Sequence, residues 1–186
     1  VERTNVIRFQ TTMGRIANLT LRQRDDNWFC VNIAQGRLEL EDCDITSQNR
    51  ACVGIHGGAD PRLRRNRIHN SKETGVHFYE NSQGTLEDND IFGHASSGLG
   101  IRRGAAPMLR RNRIRDNQRN GVFVYDDGLG TLEDNEIFGN TFAGVSITSK
   151  TNSILRRNRI HDNKQNGVFV YEEGQCTLED NDIFSN

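Results

Sequence analysis

PMLRRNRIRDNQRNGVFVYDDGLG, residues 107–130, runs straight into TLEDNEIFGNTFAGVSITSK, residues 131–150. After Thr151 the first pattern returns as NSILRRNRIHDNKQNGVFVYEEGQ, residues 152–175. The same pair stands upstream as PRLRRNRIHNSKETGVHFYENSQG and TLEDNDIFGHASSGLGIRRGAA, and the chain closes on CTLEDNDIFSN. Asn66, Asn89, Asn112, Asn135, Asn158 and Asn181 are evenly spaced, 23 residues apart. Leu63 to Leu178 and Ile68 to Ile183 keep that step, as do Gly75, Gly98, Gly121, Gly144 and Gly167. Chance does not produce four such ladders. A repeat of this length is one supersecondary unit that buries its apolar side only by stacking on its neighbours.

Each unit carries two β-type runs, LRRN-RI and GVFV, separated by Asn, Gly and Asp, and no segment has helical periodicity. Leu63 and Ile68 are five apart, an odd interval, so the chain bends between them if both point inward. Asparagine at the bend tolerates the left-handed conformation and can bond to its copy about 4.8 Å away. The expected fold is therefore all-β: a single-stranded right-handed parallel β-helix. About eight coils of 22–24 residues would make a rod on the order of 40 Å long. Upstream the coils are less regular, with Leu40, Ile45, Val53 and Ile55 inward in one and Ile16, Leu21, Val31 and Ile33 in another. Cys43 takes the Asn position there, and VIRF at 6–9 reads as a strand of the preceding coil.

The unit resembles the right-handed parallel β-helix repeat superfamily of carbohydrate-binding proteins and sugar hydrolases. Its consensus is most similar to the β-helix of F-box-type substrate receptors and of periplasmic copper-maturation proteins. The resemblance spans residues 14–186 and implies the fold. It implies no single activity, because the superfamily mixes lyases, hydrolases, epimerases and binding modules. The mannuronan-epimerase motif of that superfamily is absent.

Composition excludes some partners. Of 186 residues 34% are apolar, and 24 basic against 25 acidic residues leave a net charge of -1. A mean hydropathy of -0.72 suits a solenoid with a narrow core. No bulk field favours nucleic acid or a membrane surface, and no apolar run is long enough to span a bilayer. Cys30, Cys43, Cys52 and Cys176 lack metal or disulfide spacing and read as reduced core or turn residues, which leans intracellular. One domain, 1–186, is expected. It opens on Val1 and stops within a coil, so a segment of a longer protein, or end-to-end self-association through uncapped coils, is expected.

The charges alternate coil by coil, placing Arg64 opposite Glu87, Arg67 opposite Asp90 and Arg110 opposite Glu133. This is first a stacking device, each pair worth a few tenths of a kcal/mol. The GVFVY runs are more informative. Val122 and Val124 should face inward, leaving Phe123 and Tyr125 outward, with Phe169 and Tyr171 repeating them 46 residues on. His77 and Tyr79 hold those columns earlier; Gly100 with Arg102, and Ser146 with Thr148, fill the coils between. Such a stripe can stabilise the solenoid, bind a protein or peptide, or stack sugar rings. The short, uniform turns favour a non-enzymatic binding or scaffold module, with a protein or peptide as partner and a polysaccharide as the alternative. The candidate binding residues are His77, Tyr79, Arg102, Phe123, Tyr125, Phe169 and Tyr171. No catalytic residue, metal ligand or cofactor is assigned. His56 with Asp60 is the least repetitive polar cluster. His69, His77, His94 and His161 read as turn or surface residues.

Overall fold

The computed structural model describes residues 4–24 and 27–186 as β-strands and turns, without a helix. Each regular coil holds three short strands, because LRRN-RI splits at its bend. In the coil beginning at residue 108 these are Met108–Arg110, Arg113–Arg115 and Val122–Val124. These three strands pair in parallel with their counterparts one coil before and after, so the solenoid has three faces. Eight strands make the second face, and the fold is a right-handed parallel β-helix of about eight turns. The first and third faces are joined through the long strand Val31–Glu41, whose start pairs with Val53–Ile55 and whose end pairs with Arg62–Arg64.

The core is the predicted column. Leu63, Ile68, Leu86, Ile91, Leu109, Ile114, Leu132, Ile137, Leu155 and Ile160 are fully buried, as are Val122 and Val124. Leu40, Ile45, Val53, Ile55, Val31 and Ile33 continue it upstream, while Ile16 is only partly covered. Cys30 and Cys52 flank the paired residues Val31 and Val53, and all four cysteines are free.

The Asn ladder runs as expected: Asn66 Nδ2 donates to Asn89 Oδ1 at 3.0 Å and to the Leu40 carbonyl at 2.8 Å. The pattern repeats down to Asn181, and Cys43 N donates to Asn66 Oδ1 at its upper end. The bend itself differs from expectation. The left-handed residue is the one before each ladder Asn: Arg65, Asp88, Arg111, Asp134, Arg157 and Asp180, with φ of 50–57°. That residue pays the steric cost and frees the Asn side chain to turn inward.

His94 also corrects the sequence reading. It is fully buried in a second ladder, Ser71–His94–Asn117–Asn140–Asn163–Asn186. Ser71 N–H donates to Nδ1 at 3.1 Å, so the ring proton sits on Nε2 and reaches the Ile68 carbonyl at 3.1 Å. A side chain on Gly75 would collide with this ring.

The charge ladders pair in two directions. On the first face Arg64 reaches forward to Glu87 at 3.6 Å and Arg110 to Glu133 at 2.9 Å. At the neighbouring bend, Arg65, Arg111 and Arg157 reach back to Asp42, Asp88 and Asp134. Arg67 lies opposite Asp90 in register but pairs with Asp44, because Arg115 holds Asp90.

Candidate functional site

One outward column of the third face alternates between small and large residues. Successive coils present Gly54, His77, Gly100, Phe123, Ser146 and Phe169 in register. Beside them run His56, Tyr79, Arg102, Tyr125, Thr148 and Tyr171, each backbone N–H bonded to the coil before. The seven predicted binding residues therefore share one face. Phe123 stacks on Tyr125 with ring centroids 4.5 Å apart, and Phe169 on Tyr171 at 4.6 Å. Phe169 is 44% exposed; the others are half-buried.

A cleft of about 390 Å³ opens on this face. Gly100 forms its floor, with Phe123 and Tyr125 on one side and Thr74, Ser97 and Asn120 along the neighbouring turn. Arg119 and Phe142 rise at its rim. Sequence reasoning missed that rim, which lies on the turn before the conserved-spacing glycines rather than in a patterned strand.

Arg102 sits between two tyrosines, 5.7 Å from the Tyr79 ring and 5.9 Å from Tyr125. Its Nε is buried without a hydrogen-bond partner. Arg103 beside it is matched by Asp126 at 3.4 Å. The Tyr125 hydroxyl lies 3.4 Å from His77 Nε2. Burial, reinforced by Arg102, lowers the His77 pKa from 6.5 to about 4, so the imidazole is neutral near pH 7. Burial likewise pushes the Tyr125 and Tyr79 phenols up. The face thus offers planar stacking surfaces, an uncompensated guanidinium, a neutral imidazole and protonated phenols.

His56 and Asp60 do not form a site together: His56 stacks on Tyr79 and bonds Asn32 Oδ1 at 2.9 Å, whereas Asp60 pairs with Arg37. Below the aromatic face Asp126, Asp127, Glu172 and Glu173 ring Lys150. Among the described residues no three His, Cys, Asp or Glu side chains converge as a metal would require.

The three-faced coil, its ladders and its parallel register define a β-helix protein, and the chain belongs to the right-handed β-helix region family, matching over residues 5–140 and 97–186. Comparison with curated protein sequences gives no match. Among solved structures it is similar to the periplasmic alginate epimerase AlgG, with a TM-score of 0.71 and 16% identity over 92% of this chain and 50% of that one. It is also similar to the A-module of the Azotobacter vinelandii mannuronan C-5 epimerase AlgE4, with a TM-score of 0.67 and 18% identity over 98% and 73%. Pectate lyase Pel9A follows with a TM-score of 0.51 and 13% identity over 86% and 58%. The chain thus spans half the length of the AlgG structure. The expectation of a non-enzymatic scaffold with a protein or peptide partner is corrected here: these relatives in fold are named as epimerases and a lyase.

Proposed function

We propose that this chain is a carbohydrate-active module whose third face grips an extended polysaccharide through His77, Tyr79, Arg102, Phe123, Tyr125, Phe169 and Tyr171. The observation that carries this reading is the cleft above Gly100, walled by aromatic rings in register along the solenoid axis. Sugar rings present C–H faces that stack on Phe and Tyr, and their hydroxyls suit a rim of Ser, Thr and Asn. The alginate, mannuronan and pectate chemistry named for the similar structures supports the same class of ligand. The finer resemblance to F-box receptors and copper-maturation proteins draws no support from the structures named above.

A second reading adds proton transfer at the same place. A neutral His77 beside the protonated Tyr125, with unpaired Arg102 able to face a sugar carboxylate, is an acid–base pair in a charge-stabilising setting. The test compares wild type with a Phe123→Ser, Tyr125→Ser, Phe169→Ser, Tyr171→Ser variant in affinity electrophoresis against neutral and acidic polysaccharides. Retardation of wild type by a polysaccharide that leaves the variant unretarded supports the proposal. Equal mobility of the two, both folded by circular dichroism, overturns it. Product analysis of His77→Ala beside its retardation separates grip from turnover: product lost with retardation kept assigns His77 to proton transfer.

A further inference from the structure

The small-large alternation on the third face leaves gaps between the large residues, and the one over Gly54 is filled by the chain itself. A side chain on Gly54 would lie 2.7 Å from the Phe29 ring, which covers that glycine. Phe29 is 5% exposed, and Arg50 caps it with its guanidinium carbon 4.4 Å from the ring centre. Two coils on, every element of this arrangement has a counterpart. Gly100 stands where Gly54 does, through the register Gly54–His77–Gly100. Thr74 stands where Phe29 does, its Cγ2 3.6 Å from the place a side chain on Gly100 would take. Ser96 stands where Arg50 does, at the edge of the cleft. A side chain on Gly100 would meet nothing closer than 3.4 Å, so this second well lacks the plug of the first, and the cleft lies over it.

We infer that the Gly100 well is a ring-sized subsite, and that Phe29 shows the shape of what it accepts: one flat ring laid over a glycine floor, closed from above. The aromatic pairs Phe123–Tyr125 and Phe169–Tyr171 lie two coils apart, about 9.5 Å along the axis. That spacing is close to the advance of two units in an extended β-linked pyranose chain. The ligand class is therefore an extended glycan lying along the axis, its two-sugar repeat in phase with two coils. Coiled α-linked chains lack that phase. Phe29 ends the groove, since the well above Gly54 has no room for another ring. This inference rests on the polysaccharide reading and specifies its register.

The experiment rebuilds the chain's own plug at the open well. Thr74→Phe sets a ring over Gly100 as Phe29 sets one over Gly54, so the coil has a precedent for tolerating it. Cello-, chito- and mannuronan oligosaccharides of two to eight units are titrated calorimetrically, with malto-oligosaccharides for comparison. Wild type is expected to bind an extended series, with affinity climbing at each second sugar, and to ignore the malto series. Thr74→Phe is expected to weaken binding about tenfold or more, a change of about 1.4 kcal/mol, without lowering Tm. If Thr74→Phe unfolds, Gly100→Val fills the same space from the floor. Unchanged affinity in a folded plugged variant overturns the subsite while the polysaccharide reading stands. Failure of wild type to bind any glycan overturns both.

Discussion

Two outward columns of planar side chains run along this solenoid, and only one leaves room for a ligand. On the second face six successive coils each contribute a flat group: His69, Phe92, Arg115, Phe138, His161 and Phe184 follow one another in register. His69 stacks on Phe92 at 4.9 Å, Arg115 lies 4.2 Å from Phe92, and Phe138, His161 and Phe184 follow at 5.2 and 5.0 Å. Arg113 covers Phe138 at 5.5 Å where the two runs meet, so these rings spend their faces on one another and on arginines. On the third face every second coil carries Gly or Ser instead, and the cleft lies at such a gap. Outward aromatics in register are thus insufficient for a site. The missing ring makes it.

The largest effect is expected at the Asn ladder between the first and second faces. Asn112 Oδ1 accepts from the backbone and side chain of Asn89 while its Nδ2 serves the Leu86 carbonyl and Asn135. Asn112→Ala orphans these buried groups at once, at a cost on the order of 3–5 kcal/mol. Urea unfolding should show a large fall in midpoint, with the coils on either side uncoupled and the transition broadened. A shift below about 1 kcal/mol would mean that the strand ladders carry the register without the amides.

His94 sets the next largest effect and ties stability to pH. Burial lowers its pKa from 6.5 to about 3, so the unfolded chain binds a proton in a range where the folded chain does not. Its contribution is fully present above pH 6.5 and is lost as pH falls, on the order of 2 kcal/mol by pH 5 and more towards pH 3. His94→Asn continues the ladder of Asn117, Asn140 and Asn163 and should flatten this acid limb. If both proteins lose stability in parallel between pH 6.5 and 5, another group is responsible.

Smaller, and aimed at the comparison itself, is a pair of truncations. Phe138→Ala opens the closed stack between Arg113 and His161 and should cost about 1–2 kcal/mol of stability. It should leave glycan binding unchanged. Phe123→Ala, on the interrupted column, should do the reverse, weakening binding more than folding. Glycan loss in Phe138→Ala would move the site to the second face.

The repeat made the fold legible because a parallel solenoid converts equal spacing in sequence into vertical neighbours in space. Leu63, Ile68 and Asn66 could be placed inward for that reason alone. The seven residues of the candidate face followed from the same rule. His94 had a signal that was passed over: it lies 23 residues before Asn117, in the column of Asn140 and Asn163. The partner of Arg67 was not legible, since a guanidinium reaches the coil above or below with equal ease. Nor was the Phe29 plug, because it stands on a turn where the upstream coil departs from the 23-residue step: Val31 pairs with Val53, 22 residues on. Spacing fixes which residues are neighbours; side-chain reach decides which of them touch.

The gentlest perturbation distinguishes acidic from neutral glycans at the open column. His77 faces the Tyr125 hydroxyl and feels Arg102, Arg50 and Arg103, and burial is the main reason its pKa falls to about 4. Its folded value lies below the ordinary one, so the ring is neutral from pH 8 down to about 5 and charges only near pH 4. Binding of a neutral glycan should be flat over pH 5–8. Arg102→Gln should raise the His77 midpoint part of the way towards 6.5, since burial remains. An acidic sugar set against Arg102 brings a negative charge near the imidazole, which favours its protonated form. The His77 NMR titration should then move upward on saturation with mannuronan oligosaccharides and stay fixed with cello-oligosaccharides. An upward shift with both would assign the change to solvent exclusion or contact rather than charge, and would remove the reason to place a carboxylate beside Arg102.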